Sequence, residues 1–347
     1  MTKPQLEEIS IMRPILICIC LLVYHSFAPF GGVDSWSLYN NLDVPAYFWL
    51  DKFVFSFMLE GLVFISGYVF SFQLYTQAKD YNLLSLLNNK FKRLIIPSLF
   101  FSVFYILFFY EYPKYCSDYQ QLLYEIISGA GHLWFCPMLF WCFFLSFILL
   151  KVRLDERKKI FLLLLLSLFS FLPLPFQLDQ ACYFLFFFYL GIFGYKEKGR
   201  IIINLSRKPF LFVLLLYFFS FIILTFFRES LFDYRPCAIG GKVIKYLLYR
   251  GSMITYSLLG LLGLLLFSIR IVSRGFHVPQ YVIKLNQICM GIYIFHQFIL
   301  KFLYFHSILP EWCGYVVLPW VGYVIAILSS IALSIIIRLT AIGRRII

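Results

Sequence analysis

Charged residues are scarce in this chain of 347 residues, and their scarcity excludes a soluble globular protein. Only 14% of the residues are charged, whereas a soluble domain has roughly one quarter. Hydrophobic residues make up 62% of the chain, and the mean hydropathy is +0.84. Apolar runs recur from end to end and are long enough to cross about 30 Å of hydrocarbon. The composition therefore predicts one multi-pass membrane domain over residues 1–347.

Metal-binding, disulfide and processing signals are also absent from the sequence. The nine cysteines show no CxxC spacing, and most of them lie in apolar runs as small hydrophobic residues. We therefore predict no metal site. No small-residue cleavage site follows the first apolar run, which indicates a retained helix rather than a cleaved signal peptide.

The charges that are present are mostly basic, with 30 Lys and Arg against 17 Asp and Glu and a net charge of +13. Most basic residues lie in clusters just beyond apolar runs, where they set topology more often than they bind nucleic acid. We therefore expect membrane lipids, and no nucleic acid, among the partners. By the positive-inside rule, both termini are predicted to be cytoplasmic.

The apolar runs predict an all-α integral membrane protein with about ten transmembrane helices. An even number of spans puts both termini on the same side. The fifth and sixth runs are short and are separated only by the polar sequence FQLDQ. The predicted spans are 11–30, 53–75, 94–110, 133–150, 160–175, 181–195, 209–227, 250–269, 286–305 and 316–337.

Ionisable side chains inside these spans are few, and they are the main candidates for function. Such a group is costly in hydrocarbon and by default marks a site. At a rise of about 1.5 Å per residue, His25 in the first span, Glu60 in the second and His296 in the ninth lie at similar depths. They predict one shared polar cavity, in which Glu60 orients His25 as a general base. The alternative is that they are buried polar residues that join neighbouring helices.

Further candidates lie at the ends of spans. His132 begins the fourth span, in a different layer from the buried groups, and its place beside Trp134 favours an interfacial aromatic belt. Arg93, at the entrance of the third span, is by itself a topology signal. Together with Lys90, Lys92 and Arg13 it would nevertheless supply charge-assisted donors to the phosphates of a cytoplasmic cofactor.

Five short patterns contain these residues. They are MRPILICICLLVYHS with Arg13 and His25, EGLVFISGY with Glu60, Ser66 and Tyr68, KRLIIP from Lys92 to Pro97, GHLWF from Gly131 to Phe135, and GIYIFHQ from Gly291 to Gln297. Each pattern alone is short and apolar, whereas their order, spacing and helix placement together are fairly specific. In this combination the chain resembles the acyltransferase family three of multi-pass membrane proteins, which includes bacterial O-acetyltransferases of surface polysaccharides.

The resemblance implies ten helices, acetyl-CoA as a cytoplasmic co-substrate and a carbohydrate hydroxyl as acceptor. On this basis we assign catalysis to His25 and Glu60. The other assignments are donor binding by Arg13, Lys92 and Arg93, and acceptor binding by Ser66, Tyr68, His132, Trp134 and His296. Direct transfer and a covalent acyl-histidine are both left open.

The first span departs from the family pattern by one residue. The family usually has ten residues between the arginine and the histidine, whereas Arg13 and His25 enclose eleven. On an ideal helix the extra residue turns His25 away by about 100°. Pro14 fits a first helical turn and disfavours helical geometry at the residue before it. We therefore predict that Arg13 lies in an unwound entry to the helix.

The sequence thus predicts a membrane O-acyltransferase that moves acetyl from acetyl-CoA to a hydroxyl of a surface or lipid-linked carbohydrate. The resemblance places it in a bacterial inner membrane. One alternative is a transporter or flippase for a glycan or lipid precursor, in which the buried histidines and glutamate relay protons. Another is a non-catalytic scaffold of a polysaccharide-synthesis complex. The acceptor sugar, the acyl group and the oligomeric state, including a homo-oligomer, are left open.

Overall fold

The computed structural model describes residues 6–31, 44–79, 81–109, 118–198, 210–229, 243–340 and 343. Every regular element in these ranges is helical, which confirms the all-α class. We number the helices α1 (Glu7–Phe30), α2 (Pro45–Tyr75), α3 (Leu83–Phe108), α4 (Tyr119–Ser128), α5 (Gly131–Lys151), α6 (Glu156–Leu168), α7 (Leu178–Lys196), α8 (Phe210–Glu229), α9 (Val243–Ser273), α10 (Gln280–Phe305), α11 (Leu309–Trp312) and α12 (Leu318–Leu339).

Eight of the described helices are long and apolar enough to cross a membrane, namely α1, α2, α3, α5, α7, α9, α10 and α12. Each of them coincides with a predicted span. The fifth predicted span, 160–175, corresponds to α6, which has 13 residues and ends at Leu168. That helix is only about 20 Å long. The apolar part of α8, Leu211–Phe227, is also short, so the count of ten and the side of the termini stay predictions.

α1 changes its helical type along its length, and this change accommodates the extra residue between Arg13 and His25. Glu7–Pro14 is α-helical, Ile15–Leu21 is a π-helix, and Leu22–Phe27 is α-helical again. A π-helix closes i→i+5 hydrogen bonds and holds about one more residue per turn than an α-helix. The change follows Pro14, which has no N–H to donate. The predicted unwound entry at Arg13 is wrong, because Arg13 lies in the last turn of the first α-helical part.

α3 contains a second π-helical segment, Phe91–Ile95, which includes Lys92 and Arg93. In a regular α-helix, the ring of Pro97 would clash with the carbonyl of Arg93, four residues earlier. The wider turn relieves that conflict. Single π turns occur frequently at functional sites, and here Arg93 lies within one and Arg13 lies just before the other.

The centre of the protein is the close packing of α2 against α7. A Cβ atom on Gly67 of α2 would lie 2.0 Å from the carbonyl oxygen of Phe188, and one on Gly191 of α7 would lie 2.1 Å from that of Phe64. Glycine at both positions therefore lets the two backbones touch, as small residues do between membrane helices. α7 also packs on α5 and α6, and α2 also packs on α9.

Replacement of Gly191 by alanine is expected to lower the stability of the folded protein by about 1–3 kcal/mol, the usual cost of overpacking. The new Cβ would overlap a backbone carbonyl, which cannot move aside as a flexible side chain can. Gly263→Ala on α9 is the control, because a Cβ there meets nothing within 4 Å. Thermal unfolding in detergent measures both variants, and equal midpoints would contradict the expectation.

The connection from α4 to α5 brings the start of α5 into the interior. Gly129 and Gly131 have φ values of +88° and +58°, and the backbone N–H of Ala130 donates to Ser102 Oγ of α3 at 2.9 Å. Ser102 lies about 9 Å before the end of α3. α5 therefore begins beside the body of α3 rather than at its end.

Candidate active site

Three of the five histidines meet in one buried cluster. His25 comes from α1, His132 from the first turn of α5 and His296 from α10. The ring centroids are 4.8 Å apart for His25 and His296, 5.0 Å for His132 and His296, and 6.4 Å for His25 and His132. His132 was expected in a different layer, and it joins the other two because α5 begins beside the body of α3.

The hydrogen bonds of the cluster assign the protons on His25 and His296. His296 Nδ1 lies 2.7 Å from the carbonyl oxygen of Tyr293 and 3.1 Å from that of Ile292. A carbonyl oxygen only accepts, so in the neutral ring Nδ1 carries the proton and Nε2 the lone pair. His296 Nε2 lies 3.0 Å from His25 Nδ1, which is also 3.2 Å from the carbonyl oxygen of Leu21. His25 Nδ1 therefore donates, and the lone pair of His25 is on Nε2.

His132 is held through both its backbone and its side chain by α10. Its backbone N–H donates to Gln297 Oε1 at 3.2 Å, its Nε2 lies 3.0 Å from the carbonyl oxygen of Ile294, and its own carbonyl accepts from the Tyr293 hydroxyl. Nε2 therefore donates, and the lone pair of the neutral ring is on Nδ1. This nitrogen has no hydrogen-bond partner among the described residues. The cluster thus offers two imidazole lone pairs, on His25 Nε2 and His132 Nδ1.

Glu60 belongs to a separate buried polar cluster between α2, α7 and α9. Its Oε1 accepts a hydrogen bond from the Tyr183 hydroxyl at 2.9 Å, and the guanidinium of Arg250 lies 4.6 Å from the centroid of the Tyr183 ring. The position that orients His25 is occupied by His296, and the Glu60 carboxylate is directed toward α7. A catalytic role for Glu60 stays a prediction.

A cavity of about 590 Å³, here called the histidine cavity, opens beside the three rings. His25, His132 and Trp134 line it, whereas His296 is fully buried behind His25 and is not among the lining residues. An acceptor-binding role for His296 stays a prediction, and the geometry places it next to His25 instead. Further polar side chains around the cavity are those of Tyr105, Glu125, Gln297 and Lys301.

A second cavity of about 430 Å³, here called the arginine cavity, is lined by Arg13, Arg93 and Arg338. These residues come from α1, α3 and α12. The Arg13 guanidinium donates to Asn286 Oδ1 at 3.0 Å, which fixes its direction. No acidic side chain is among the described residues that line this cavity. Three guanidinium groups without a carboxylate form a site that suits a ligand with several phosphate groups.

The other predicted site residues are not gathered at one place. Ser66 lines the arginine cavity, and its hydroxyl donates to the carbonyl of Leu62 at 2.9 Å. Tyr68 lies outside both cavities and donates to Glu8 Oε1 at 2.8 Å. Lys92 is exposed on the π-helical segment of α3. The roles assigned to these three residues stay predictions.

Several residues of the two cavities were not singled out by sequence reasoning, among them Gln297, Tyr105, Arg338 and Tyr293. Gln297 directly follows His296 in GIYIFHQ, so the sequence did contain a signal for it. Tyr105, whose hydroxyl donates to Gln297 Oε1 at 3.2 Å, carries no signal, because tyrosines are common near the ends of spans. From the sequence, Arg338 indicates only the topology of the last span, and Tyr293 cannot be distinguished from the other aromatic residues.

Hydrogen bonds occupy both ring nitrogens of His296 and the Nε2 of His132. Among the residues that the structure describes, no group of three or more His, Cys, Asp and Glu side chains is placed to hold a metal ion. His296 Nε2 accepts from His25, and His132 Nε2 donates to a carbonyl. An imidazole lone pair that faces a bound hydroxyl can accept its proton as a general base.

Comparison with known proteins agrees with the resemblance of the five short patterns. The profile of an acyltransferase domain, that of acyltransferase family three, matches residues 8–339. This range contains both cavities and all three clustered histidines. No curated protein and no solved structure matches the chain. The match covers nearly the whole chain, and the protein therefore belongs to acyltransferase family three and is a multi-pass membrane acyltransferase.

Proposed function

We propose that this acyltransferase moves acetyl from acetyl-CoA to a hydroxyl group of a surface or lipid-linked carbohydrate. The observation that supports this most directly is that the two cavities adjoin, because Phe135 and Tyr293 line both of them. One cavity has three guanidinium groups for a phosphorylated donor, and the other has two imidazole lone pairs for a hydroxyl acceptor. Acyl transfer needs these two functions side by side, since the acceptor oxygen must reach the thioester carbonyl.

Coenzyme A suits the arginine cavity by charge and by shape. Its nucleotide carries a pyrophosphate and a 3′-phosphate, which Arg13, Arg93 and Arg338 would bind through charge-assisted hydrogen bonds. Its pantetheine arm is uncharged and narrow, and would extend from these phosphates toward the histidine cavity. Arg13 and His25 are about 18 Å apart along α1. An extended pantetheine arm would span the distance between the arginine cavity and His25.

A carbohydrate suits the histidine cavity. The Trp134 indole offers a flat apolar face for a sugar ring, while Glu125, Gln297 and Lys301 offer acceptors and donors for its hydroxyl groups. An apolar wall with a few polar groups at defined positions is the usual composition of a site that orients a small ligand. The acceptor in this proposal is therefore a neutral polyhydroxyl compound.

His25 is the general base of the proposed reaction. His25 Nε2 takes the proton from the acceptor hydroxyl while the acceptor oxygen attacks the thioester carbonyl carbon. The new C–O bond forms, the C–S bond breaks, and the proton passes to the coenzyme A sulfur. His296 accepts the His25 Nδ1 proton in a hydrogen bond and so keeps the lone pair of His25 on Nε2. The His132 ring would border the acceptor, because His132 lines the same cavity as His25.

The proposed location is a bacterial cell membrane, with both termini in the cytoplasm. The distribution of Lys and Arg along the chain supports this orientation. In this orientation Arg13 near the start of α1, Arg93 early in α3 and Arg338 at the end of α12 would lie toward the cytoplasm. The arginine cavity would then open toward the compartment that contains acetyl-CoA.

Transfer of label from acetyl-CoA tests the proposed function. Membranes that contain the protein are supplied with isotopically labelled acetyl-CoA and the glycan fraction of the host. Label is expected in a base-labile ester on the glycan, above the background of membranes from the same host without the protein. Movement of a glycan across the membrane with no ester formation from any acyl-CoA would contradict the proposal.

Replacement of Arg338 by alanine is expected to raise the KM for acetyl-CoA by about tenfold or more. A hydrogen bond to a charged group contributes about 1.5–3 kcal/mol, and about 1.4 kcal/mol corresponds to tenfold in affinity. The KM for the glycan acceptor is expected to change little. Arg274→Ala is the matched control, because Arg274 is exposed and borders an apolar groove beside α1 instead of the arginine cavity. Equal KM values in both variants would remove Arg338 from donor binding.

A further inference from the structure

A wall of two aromatic rings separates the arginine cavity from the histidine cavity. Phe135 of α5 and Tyr293 of α10 line both cavities, and their ring centroids are 5.8 Å apart. Phe135 is 8% exposed and Tyr293 is 4% exposed. Each ring therefore presents only a small part of its surface to either cavity. A group that passes directly between the two cavities would therefore meet these rings.

The two rings differ in how firmly they are held. The Tyr293 hydroxyl donates to the carbonyl of His132, and the His132 backbone N–H is itself bonded to Gln297. Phe135 has no polar atom in its side chain, and its nearest ring contact on α5 is the indole of Trp134 at 6.2 Å. Rotation of Tyr293 would break a buried hydrogen bond, whereas rotation of Phe135 would not. Phe135 is therefore the part of the wall that can move at the lower cost.

We propose that Phe135 is the gate through which the acyl group of the donor enters the histidine cavity, and that the fixed ring of Tyr293 limits this opening to short acyl chains. This inference rests on the proposed function. The bonds that change are the same for every chain length: the ester C–O bond forms, the thioester C–S bond breaks, and the hydroxyl proton passes through His25 Nε2 to the coenzyme A sulfur. Chain length matters only at the wall, where extra methylene groups need room beside the carbonyl.

Selection by size at this wall is expected to be strong, because both rings are almost fully buried. Close-packed interiors do not accommodate an added methylene without displacement of their neighbours. One methylene in an enzyme pocket typically changes kcat/KM by about 10–200-fold. Removal of the Phe135 ring would join the two cavities into one space and relax this selection.

A series of acyl-CoA donors tests the inference with the full-length protein in membranes. Acetyl-, butyryl- and hexanoyl-CoA are compared in wild type and in Phe135→Ala, with the host glycan as acceptor. The ratio of kcat/KM for butyryl-CoA to that for acetyl-CoA is expected to rise at least about tenfold in Phe135→Ala. Phe140→Ala is the matched control. Phe140 lies on the same helix, its ring pairs with that of Phe91, and it lines neither cavity, so the wild-type ratio is expected.

The outcomes separate this inference from the proposed function. A Phe135→Ala ratio within about twofold of wild type, in protein that still transfers acetyl, would overturn the inference alone, because the expected change is at least tenfold. No transfer from any acyl-CoA by wild type would overturn the proposed function and the inference together. Phe135→Trp serves if the alanine variant does not fold. Its larger ring is expected to slow acetyl transfer with binding of coenzyme A unchanged, and unaltered acetyl transfer would overturn the gate.

Discussion

Replacement of His25 by alanine is expected to lower kcat for acyl transfer by about 10²–10⁴, the usual contribution of a positioned general base. The structure gives the reason: His25 lines the histidine cavity, its Nδ1 proton is fixed by His296 at 3.0 Å, and its lone pair is therefore on Nε2. The KM for acetyl-CoA is expected to change little, because the arginine cavity is lined by other residues. The rate at which label is transferred from acetyl-CoA to glycan, at matched amounts of protein, measures the change in kcat.

The control for this experiment is His277→Ala, which removes an exposed histidine outside the helices. It is expected to keep the wild-type rate. Equal rates for His25→Ala and wild type would remove His25 from the chemistry. In that case the lone pair on His132 Nδ1 would be the remaining base in the histidine cavity.

Replacement of His296 by alanine is expected to lower kcat by between about 10² and 10⁴, although His296 lines neither cavity. His296 is a positioning residue, and without its Nε2 the His25 ring loses the acceptor that fixes its tautomer. In the Ser-His-Asp triad, replacing the aspartate that fixes the histidine tautomer lowers kcat by about 10⁴. The KM values for acetyl-CoA and for the glycan are expected to stay close to those of wild type.

Rescue distinguishes this positioning role from a purely structural one. The side-chain oxygen in His296→Gln can accept a hydrogen bond from His25 Nδ1, so this variant is expected to recover part of the lost kcat. The pH profile of kcat is expected to shift in His296→Ala and to return toward that of wild type in His296→Gln. Equal losses in both variants, with an unchanged pH profile and less folded protein, would show that His296 only supports packing.

The membrane helices and the family could be predicted from the sequence. Runs such as 53–75 and 286–305 lie within α2 and α10, because insertion of a helix into hydrocarbon depends on local length and composition. The fifth run is the exception. Its helix α6 ends at Leu168, before Pro173 and Pro175, which have no N–H to donate to a helix. Hydropathy alone does not predict the end of this helix, because the residues around the prolines are still apolar.

Individual side chains of both cavities could also be predicted, but their partners could not. His25 was found because ionisable residues are rare in membrane spans and therefore conspicuous. Arg13 and Arg93 were found as basic residues at the entrances of spans, and His132 was assigned through the family resemblance. Depth along a helix was a sufficient guide for His25 and His296, which hydrogen bond to each other. Depth was not a sufficient guide for Glu60, which was predicted beside His25 but faces Tyr183 of α7.

The sequence by itself determined the all-α membrane class, the positions of the main spans and the identity of the few ionisable side chains within them. The tertiary structure decided which of these side chains meet. The direction of a side chain around its helix depends on every preceding turn, including the π-helical segment Ile15–Leu21 of α1, and its partner depends on how separate helices pack. For that reason only the structure places Glu60 beside Tyr183, His132 in the histidine cluster and Arg338 in one cavity with Arg13.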